Sequence, residues 1–464
     1  MKKADIPLIF LFTHKENFYV YDTNRNKLMN VSKEIYTELH KLKNTGVSKY
    51  IKSKTCNTDS KQAVLQLIDK GYFLPSNLQK IEFPNKEYVP DLLNRNINKL
   101  ILQITRDCNF NCRYCSFSGN GKYQRTHEKK QMNFSTVMSA IDMLQSNSVD
   151  SGKIFITFYG GEPFLEFDLI KKSIDYALST LKSKDIFFNA TINASILDEE
   201  IISYLEKVSF DLLISLDGPK DVHNENRRFR SNGQGTFDII INNIKNLMKN
   251  HKAYFEDHVT FNAVLLSTNK FSEIENFFIN NLGVSTQKVK VQYADLSGMD
   301  YLQDISNDLT TPSPETELTE SALFDNLEDY SDFLNKFFKN DKLPPVWHHN
   351  GPCIPGVQRL FVNCEGDFYP CEKSFETCDC LKIGNINCGF DMEKINALLN
   401  LGNLSMVECN NCWAKRFCNI CAIKCVDFEN DELSHNQKMT MCKQVKQQTI
   451  NNLKRYLGRT INQL

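Results

Sequence analysis

Sixteen cysteines stand in this 464-residue chain, and they are not spread along it. Only Cys56 precedes Cys108, none lies between Cys115 and Cys353, and the rest crowd into two groups. A secreted disulfide framework distributes its pairs through a small domain, whereas tight C-x2-C spacings in a long chain indicate metal or iron–sulfur ligation in a reducing compartment. Metal ligation in the cytoplasm is therefore expected in place of disulfides. The apolar run at 6–13 is far short of the roughly 20 residues that cross a bilayer, and no small-residue cleavage site follows it, so no membrane contact is expected. The 55 basic and 56 acidic side chains leave a net charge of -1, too little basic field to hold nucleic acid.

A content of 41% hydrophobic residues supports proper cores in two or three domains. Residues 1–76 read as a small module, with alternating strands at 8–12 and 18–21 and a turn at 24–26. Amphipathic helices follow at 32–42, capped by Ser32, and at 60–70, closed by Gly71. Two strands with helices resemble a winged-helix unit. Pro84 and Pro90 break a polar stretch at 77–98, which reads as a linker. Over 99–300, apolar β-rich runs at 100–105, 154–159, 187–192, 212–216, 260–266 and 289–293 alternate with helical periods. That pattern predicts an α/β fold with a partial (β/α)6 barrel. An acidic connecting segment over 301–346, a Cys-rich domain over 347–445 and a polar C-terminal helix over 446–464 complete the expected order.

Cys108-Asn-Phe-Asn-Cys112-Arg-Tyr-Cys115 follows the first barrel strand, on the face where barrel active sites are built. Three thiolates at C-x3-C-x2-C hold three irons of a cubane and leave the fourth iron open. A zinc knuckle is the alternative, but zinc would want a fourth nitrogen or sulfur ligand. With Tyr114 before its last cysteine, the spacing resembles the radical S-adenosylmethionine (SAM) superfamily, and further marks follow in order. Gly160-Gly161-Glu162-Pro163 resembles its GGEP motif, where glycines allow close backbone approach and the carboxylate accepts from the cofactor's amino group. Asn193-Ala194 stands where relatives often carry TNG. Ser215-Leu216-Asp217-Gly218-Pro219 resembles SLDGP, implying that Ser215 and Asp217 touch the cofactor's carboxylate and ribose. His223-Asn224-Glu225-Asn226-Arg227 resembles HDxxR with Asn224 replacing the aspartate, implying a pairing of Arg227 with the cofactor carboxylate. Taken singly, each of these is an ordinary turn, cap or surface residue.

Cys353-x12-Gly366-x4-Cys371, followed by Cys409-x2-Cys412-x5-Cys418-x2-Cys421-x3-Cys425 and Cys442, holds too many thiols for one mononuclear site. This group resembles the SPASM domain, which implies two auxiliary 4Fe-4S clusters and three clusters in all. Cys409, Cys412, Cys418 and Cys442 would hold the distal one, and Cys353 and Cys371 the nearer. The usual next ligand position is Ala422 here, so Cys421 or Cys425 takes that role. On spacing alone, one or two structural zinc sites are the alternative. Cys364, Cys378, Cys380 and Cys388 fall outside the pattern, as buried thiols, an extra ligand or a redox-labile pair, and Cys56 reads as an ordinary thiol.

The N-terminal module resembles the leader-recognition elements of ribosomal peptide maturases, which capture a leader as an added strand. Together with the run GPCIPG at 351–356 and CWAKRFC at 412–418, the chain looks like maturases that form thioether cross-links in Cys-rich peptides. That resemblance implies a sactipeptide or ranthipeptide product, a Cys-rich precursor peptide with a leader as partner, and a flavodoxin- or ferredoxin-type electron donor. Peptide carbon–carbon cyclisation and sulfatase maturation are alternatives within the family. An iron–sulfur or zinc sensor on DNA is the alternative outside it, though no basic recognition helix stands out. Tyr293 and Asp295, after the last strand, are candidates to line the substrate cavity.

Overall fold

The computed structural model describes residues 5–53, 58–117, 119, 123, 125–266, 270–294, 328–339, 342–349 and 353–461. The chain begins with an antiparallel sheet of β1 (Ile9–His14), β2 (Asn17–Asp22) and β3 (Lys27–Val31), then α1 (Lys33–Thr45), α2 (Val47–Lys52) and α3 (Asp59–Asp69). Ser32 caps α1 by accepting from Ile35 N at 3.3 Å. Gly71, at φ +83°, ends α3 in a left-handed turn that returns Tyr72 N to Leu67 O. Cys56 lies outside the described residues.

The period of two gives this sheet two jobs. Ile9, Leu11 and Val20 pack on Leu39, Leu42 and Val64 of the module's own helices. Phe12, Tyr19 and Tyr21 join the main core instead. On that side Phe10 stacks on Trp413 with ring centroids 3.9 Å apart, and Thr23 Oγ1 donates to Trp413 O at 2.7 Å. Arg416 donates to Thr23 O and Asn24 O. The module therefore sits on the segment between Cys412 and Cys418.

Six parallel strands follow: β5 (Lys99–Thr105), β6 (Lys153–Gly160), β7 (Asp185–Ile192), β8 (Asp211–Ser215), β9 (Val259–Leu265) and β10 (Val289–Tyr293). They pair in sequence order with helices between them. Such strands are covered on both faces, which is why they read as near-continuous apolar runs. The expected strands match these within two residues at either end.

Two expectations change. The stretch 77–98 is not a linker but part of the body. It holds β4 (Lys80–Ile81), which pairs in parallel with β11 (Val346–Trp347), and α4 (Val89–Arg95), which buries Val89 and Leu93. Pro90 opens that helix at its first turn, where no N–H is needed. The Cys-rich region is likewise no detached unit. Its β12 (Leu360–Val362) lies parallel on β5, and β13 (Asp367–Tyr369), β14 (Gly384–Asn385) and β15 (Gly389–Phe390) extend the same sheet antiparallel. Gly366 turns β12 into β13 at φ +85°, and a side chain there would meet Ile386 at 2.8 Å. The C-terminal helix spans His435–Ile461, so it starts earlier than the expected 446 and carries Cys442, while 462–464 lie outside the described residues. Asp295, the connecting residues 301–327, Gly351 and Pro352 lie outside the described residues. Among those described, no helix is long and apolar enough to cross a membrane.

Candidate active site

The loop Cys108–Cys115 leaves the carboxyl end of β5 and is tied down on two sides. Its backbone pairs with the segment after α8 (Lys220–Asn226): Asn111 N donates to Arg228 O, Arg113 N to Asn226 O, and Arg230 N to Asn109 O. On the other side Asn109 Nδ2 donates to Ser195 Oγ, and Asn109 Oδ1 accepts from Asn193 Nδ2 at 2.7 Å. Within the loop, backbone N–H groups of Phe110 and Phe117 point at Cys108 Sγ and Cys115 Sγ at 3.4 Å each, and Arg227 Nη1 lies 4.0 Å from Cys112 Sγ. Every sulfur thus has a donor that favours a thiolate.

Gly160 and Gly161 are required by this loop. A Cβ on Gly160 would stand 2.0 Å from Thr105 O, and one on Gly161 2.0 Å from Asp107 O. Glu162 is buried beside them, with Oε1 accepting from Phe164 N (3.0 Å) and Oε2 from Asn193 N (2.7 Å), while Pro163 opens the next helical turn. Asn193 is therefore the hub between Glu162, Asn109 and Ser195, whose N–H and hydroxyl both donate to Asn193 Oδ1. Ala194, where relatives often carry glycine, takes φ +59°.

Asp217 is fully buried after β8, where Ser215 is also buried. Its Oδ2 accepts from Tyr114 OH (2.5 Å) and Arg227 Nε (2.9 Å), and its Oδ1 from Val264 N (3.1 Å). Burial pushes the Tyr114 hydroxyl well up, so it remains a donor. Arg227, expected at a cofactor carboxylate, is placed against Asp217, Cys112 and the Tyr114 ring. His223 is pushed down to about 4 by burial, so its neutral ring accepts from Asp217 N at Nδ1 and donates to Thr236 Oγ1. Asn224 Oδ1 accepts from Phe237 N at 3.1 Å, and so satisfies the first N–H of the helix Phe237–Asn250. Asp107 and Asn109 were not singled out in the sequence, although both flank the first cysteine.

Burial pushes Cys112 up to about 12 and Cys108 up as well, and pushes Glu162 up to about 7 against its two backbone donors. All are groups whose folded value is raised, so the stability they lend belongs to the protonated form and is lost as pH rises. The metal-free protein is expected to weaken between about pH 4.5 and 7 through Glu162. It should weaken again above about pH 8.5, the ordinary thiol value, through the cysteines. Iron replaces those thiol protons, so loading should abolish the upper window. Thermal unfolding of metal-free and reconstituted protein against pH checks both signs.

None of the fifteen described cysteines is in a disulfide. Cys353 and Cys371 are both pushed up by burial and by the charge of Cys421. Cys425 points its S–H at Cys421 O (3.6 Å) and feels the charges of both Cys421 and Cys442. Cys412, Cys418 and Cys442 are each buried against the charge of Cys409. Cys364 is pinned in the sheet by Gln103, and the Cys380 N–H by Asp431, away from both groups. Among the described residues no three His, Cys, Asp or Glu side chains converge on one metal ion. Ligands of a cubane each take a different iron and need no common point.

Charged side chains stand between the two cysteine regions. Arg125 covers the Phe117 ring at 3.6 Å and pairs with Glu376, yet its Nη2 is buried with no hydrogen-bond partner among the described residues. Glu372, beside Cys371, takes Arg359 on Oε1 at 3.2 Å, and its buried Oε2 has no hydrogen-bond partner among the described residues. Phe117 meets Tyr159 edge-on, and Tyr159 feels the charges of Glu372, Arg125, Cys115 and Cys371. Neither Arg125 nor Glu372 carried a sequence signal, because their partners are remote in the chain.

Three thiols with nearby donors stand at the carboxyl end of a parallel sheet, and sulfur donors in this setting fit an iron–sulfur cluster. The sequence profile of the Radical SAM superfamily matches residues 102–278. An uncharacterised protein of Methanocaldococcus jannaschii is 30% identical over 68% of this chain and 95% of its own. A cysteine-type anaerobic sulfatase-maturating enzyme of Clostridium novyi is 25% identical over 68% of this chain and 85% of its own. The radical SAM cyclopropyl synthase TigE of Paramaledivibacter caminithermalis is 24% identical over 57% of each chain. In fold, the chain is similar to native anSMEcpe with bound AdoMet, with a TM-score of 0.57 and 20% identity over 78% of this chain and 98% of that one. The chain belongs to the radical SAM superfamily, in a radical SAM maturase family.

Proposed function

We propose that this enzyme matures a ribosomally made Cys-rich peptide, joining peptide cysteine sulfur to carbon as a thioether. The observation that carries the reading is the N-terminal module. Its β3 edge has no neighbouring strand among the described residues, and a cleft of about 410 Å³ runs beside it, lined by Leu28, Asn30, Phe337, Phe338 and Tyr456. An open edge beside an apolar cleft is suited to an extended leader that adds as a strand. The module's seating on the Cys412–Cys418 segment would hand the rest of such a peptide toward the barrel.

When bound, the cluster of Cys108, Cys112 and Cys115 with SAM supplies a 5'-deoxyadenosyl radical that takes hydrogen from an unactivated carbon. Tyr114, Asp217 and Arg227 form the buried wall around it, and Asn193 and Glu162 fix the loop. The unpartnered Arg125 Nη2 and Glu372 Oε2 offer a donor and an acceptor to a peptide substrate. Forming the S–C bond removes the thiol hydrogen and the carbon hydrogen. One leaves as a proton and one goes to the adenosyl carbon, and the remaining electron needs an acceptor. We assign Cys353, Cys371 and Cys421 to the nearer auxiliary cluster, and Cys409, Cys412, Cys418 and Cys442 to the distal one. Cys421→Ala is then expected to lower iron by about four per chain, while Cys425→Ala leaves it unchanged, as read by iron assay of the anaerobically purified protein.

Sulfatase-type oxidation of a protein cysteine or serine is the second reading, favoured by the similarity to the Clostridium enzyme. Mass spectrometry of a candidate Cys-rich precursor peptide, after incubation with enzyme, reductant and SAM, decides. Loss of two hydrogens per modified cysteine with thiols no longer alkylatable supports the thioether. Thiols that all still alkylate, with 5'-deoxyadenosine formed, sink it.

A further inference from the structure

We propose that Lys438, Ser405 and His349 hold the distal cysteine group at a higher reduction potential than the nearer one, so that electrons run from the nearer group to the distal. The inference rests on reading both groups as cluster ligands. Cys409 Sγ is met by Lys438 Nζ at 3.6 Å, Ser405 Oγ at 3.3 Å and His349 Nε2 at 3.6 Å, and all three partners are buried. Lys438 also donates to Leu401 O (3.0 Å) and Ser405 Oγ (2.7 Å). Its three N–H bonds are thereby used, the ammonium is locked in place, and the Ser405 hydroxyl is free to donate to the sulfur. A ligating thiolate only accepts, so His349 donates from Nε2. His349 Nδ1, buried without a partner among the described residues, is the bare nitrogen of that tautomer.

The charges around the two groups differ in balance: ammonium groups approach the distal cysteines, whereas Arg359 and Glu372 stand together at the nearer ones. Lys438 touches Cys409, and Lys415 and Lys446 lie near enough to Cys412 to oppose the rise in its pKa. The nearer group has Glu372 next to Cys371, its carboxylate only half answered by Arg359. Hydrogen bonds and positive charge at cluster sulfurs stabilise the form that carries the extra electron and so raise the potential; a neighbouring carboxylate lowers it. Clusters held by these cysteines would pass one electron from the nearer group, oxidised in the step, to the distal group, reduced by it. A one-electron carrier protein of the flavodoxin or ferredoxin class then takes it away. Lys438 is in this sense a positioning residue that acts through Cys409.

Potentiometric titration of the full-length reconstituted enzyme, followed by electron paramagnetic resonance, tests this. In Lys438→Met the signal of highest potential should fall by about 59 mV or more, a tenfold change in a one-electron equilibrium. The other signals and the iron content should stay, and Lys438→Arg should restore much of the shift. Full iron with an unmoved potential overturns the inference. If Lys438→Met loses iron, His349→Leu, which removes the ring donor, reads the same signal, and no downward shift there is equally fatal. Zinc in place of iron at Cys409 removes the cluster reading itself, which the metal analysis reveals independently of any potential.

Discussion

Cys112→Ala is expected to abolish SAM cleavage and to remove about four irons per chain, while the fold survives. Cys112 lies buried between Arg227 and the loop backbone, and nothing else in the described site replaces its sulfur. Two thiolates cannot hold a cubane that three were placed to hold, so the loss should be complete. The substitution deletes one small buried atom, a change that costs folding about 1 kcal/mol. Unfolding by denaturant would therefore stay near wild type while iron and 5'-deoxyadenosine fall together. Retained cleavage in this variant would remove Cys112 from the site.

Asp217→Ala should be the most destabilising single change around the site. Asp217 is fully buried and answers Arg227, Tyr114 and the Val264 N–H at once. Its removal strands a buried guanidinium, which costs about 3–5 kcal/mol. Replacing both partners with apolar residues of similar size should cost much less than Asp217→Ala alone, because no charge is then left unanswered. Denaturant titration of the metal-free single and double variants checks this without any contribution from cofactor binding. A loss below 1 kcal/mol in Asp217→Ala would mean that water reaches Arg227 and that the wall is open.

The parallel strands were legible because β5, β6 and β9 are apolar runs buried for most of their length, while β7 and β10 alternate buried with more exposed positions. The short strands were not. β12 to β15 are two or three residues long and take their partners from β5 and from one another, which no local period reveals. β3 carries a half-buried pattern too weak to read as alternation. The mistaken linker is instructive, since Val89, Leu93 and Ile97 recur at helical spacing and are all buried. Pro90 was read as a breaker when its place in the first turn makes it a starter. In the site, residues inside compact motifs were visible and residues whose partners lie far along the chain were not. Lys438, Arg125 and Glu372 gain meaning only when the Cys-rich region closes on the barrel. Asn224, by contrast, departs from the family pattern and is explained by the N–H it satisfies at the start of the helix Phe237–Asn250.

The measurement that bears most directly on the central claim is anaerobic incubation of the iron-reconstituted wild-type chain with dithionite and SAM. 5'-Deoxyadenosine and methionine are read by liquid chromatography and mass spectrometry beside metal analysis of the same sample. Formation of both products by an iron- and sulfide-containing protein is the expected result. A protein that holds zinc at these cysteines, or holds iron and yields no 5'-deoxyadenosine, would contradict it.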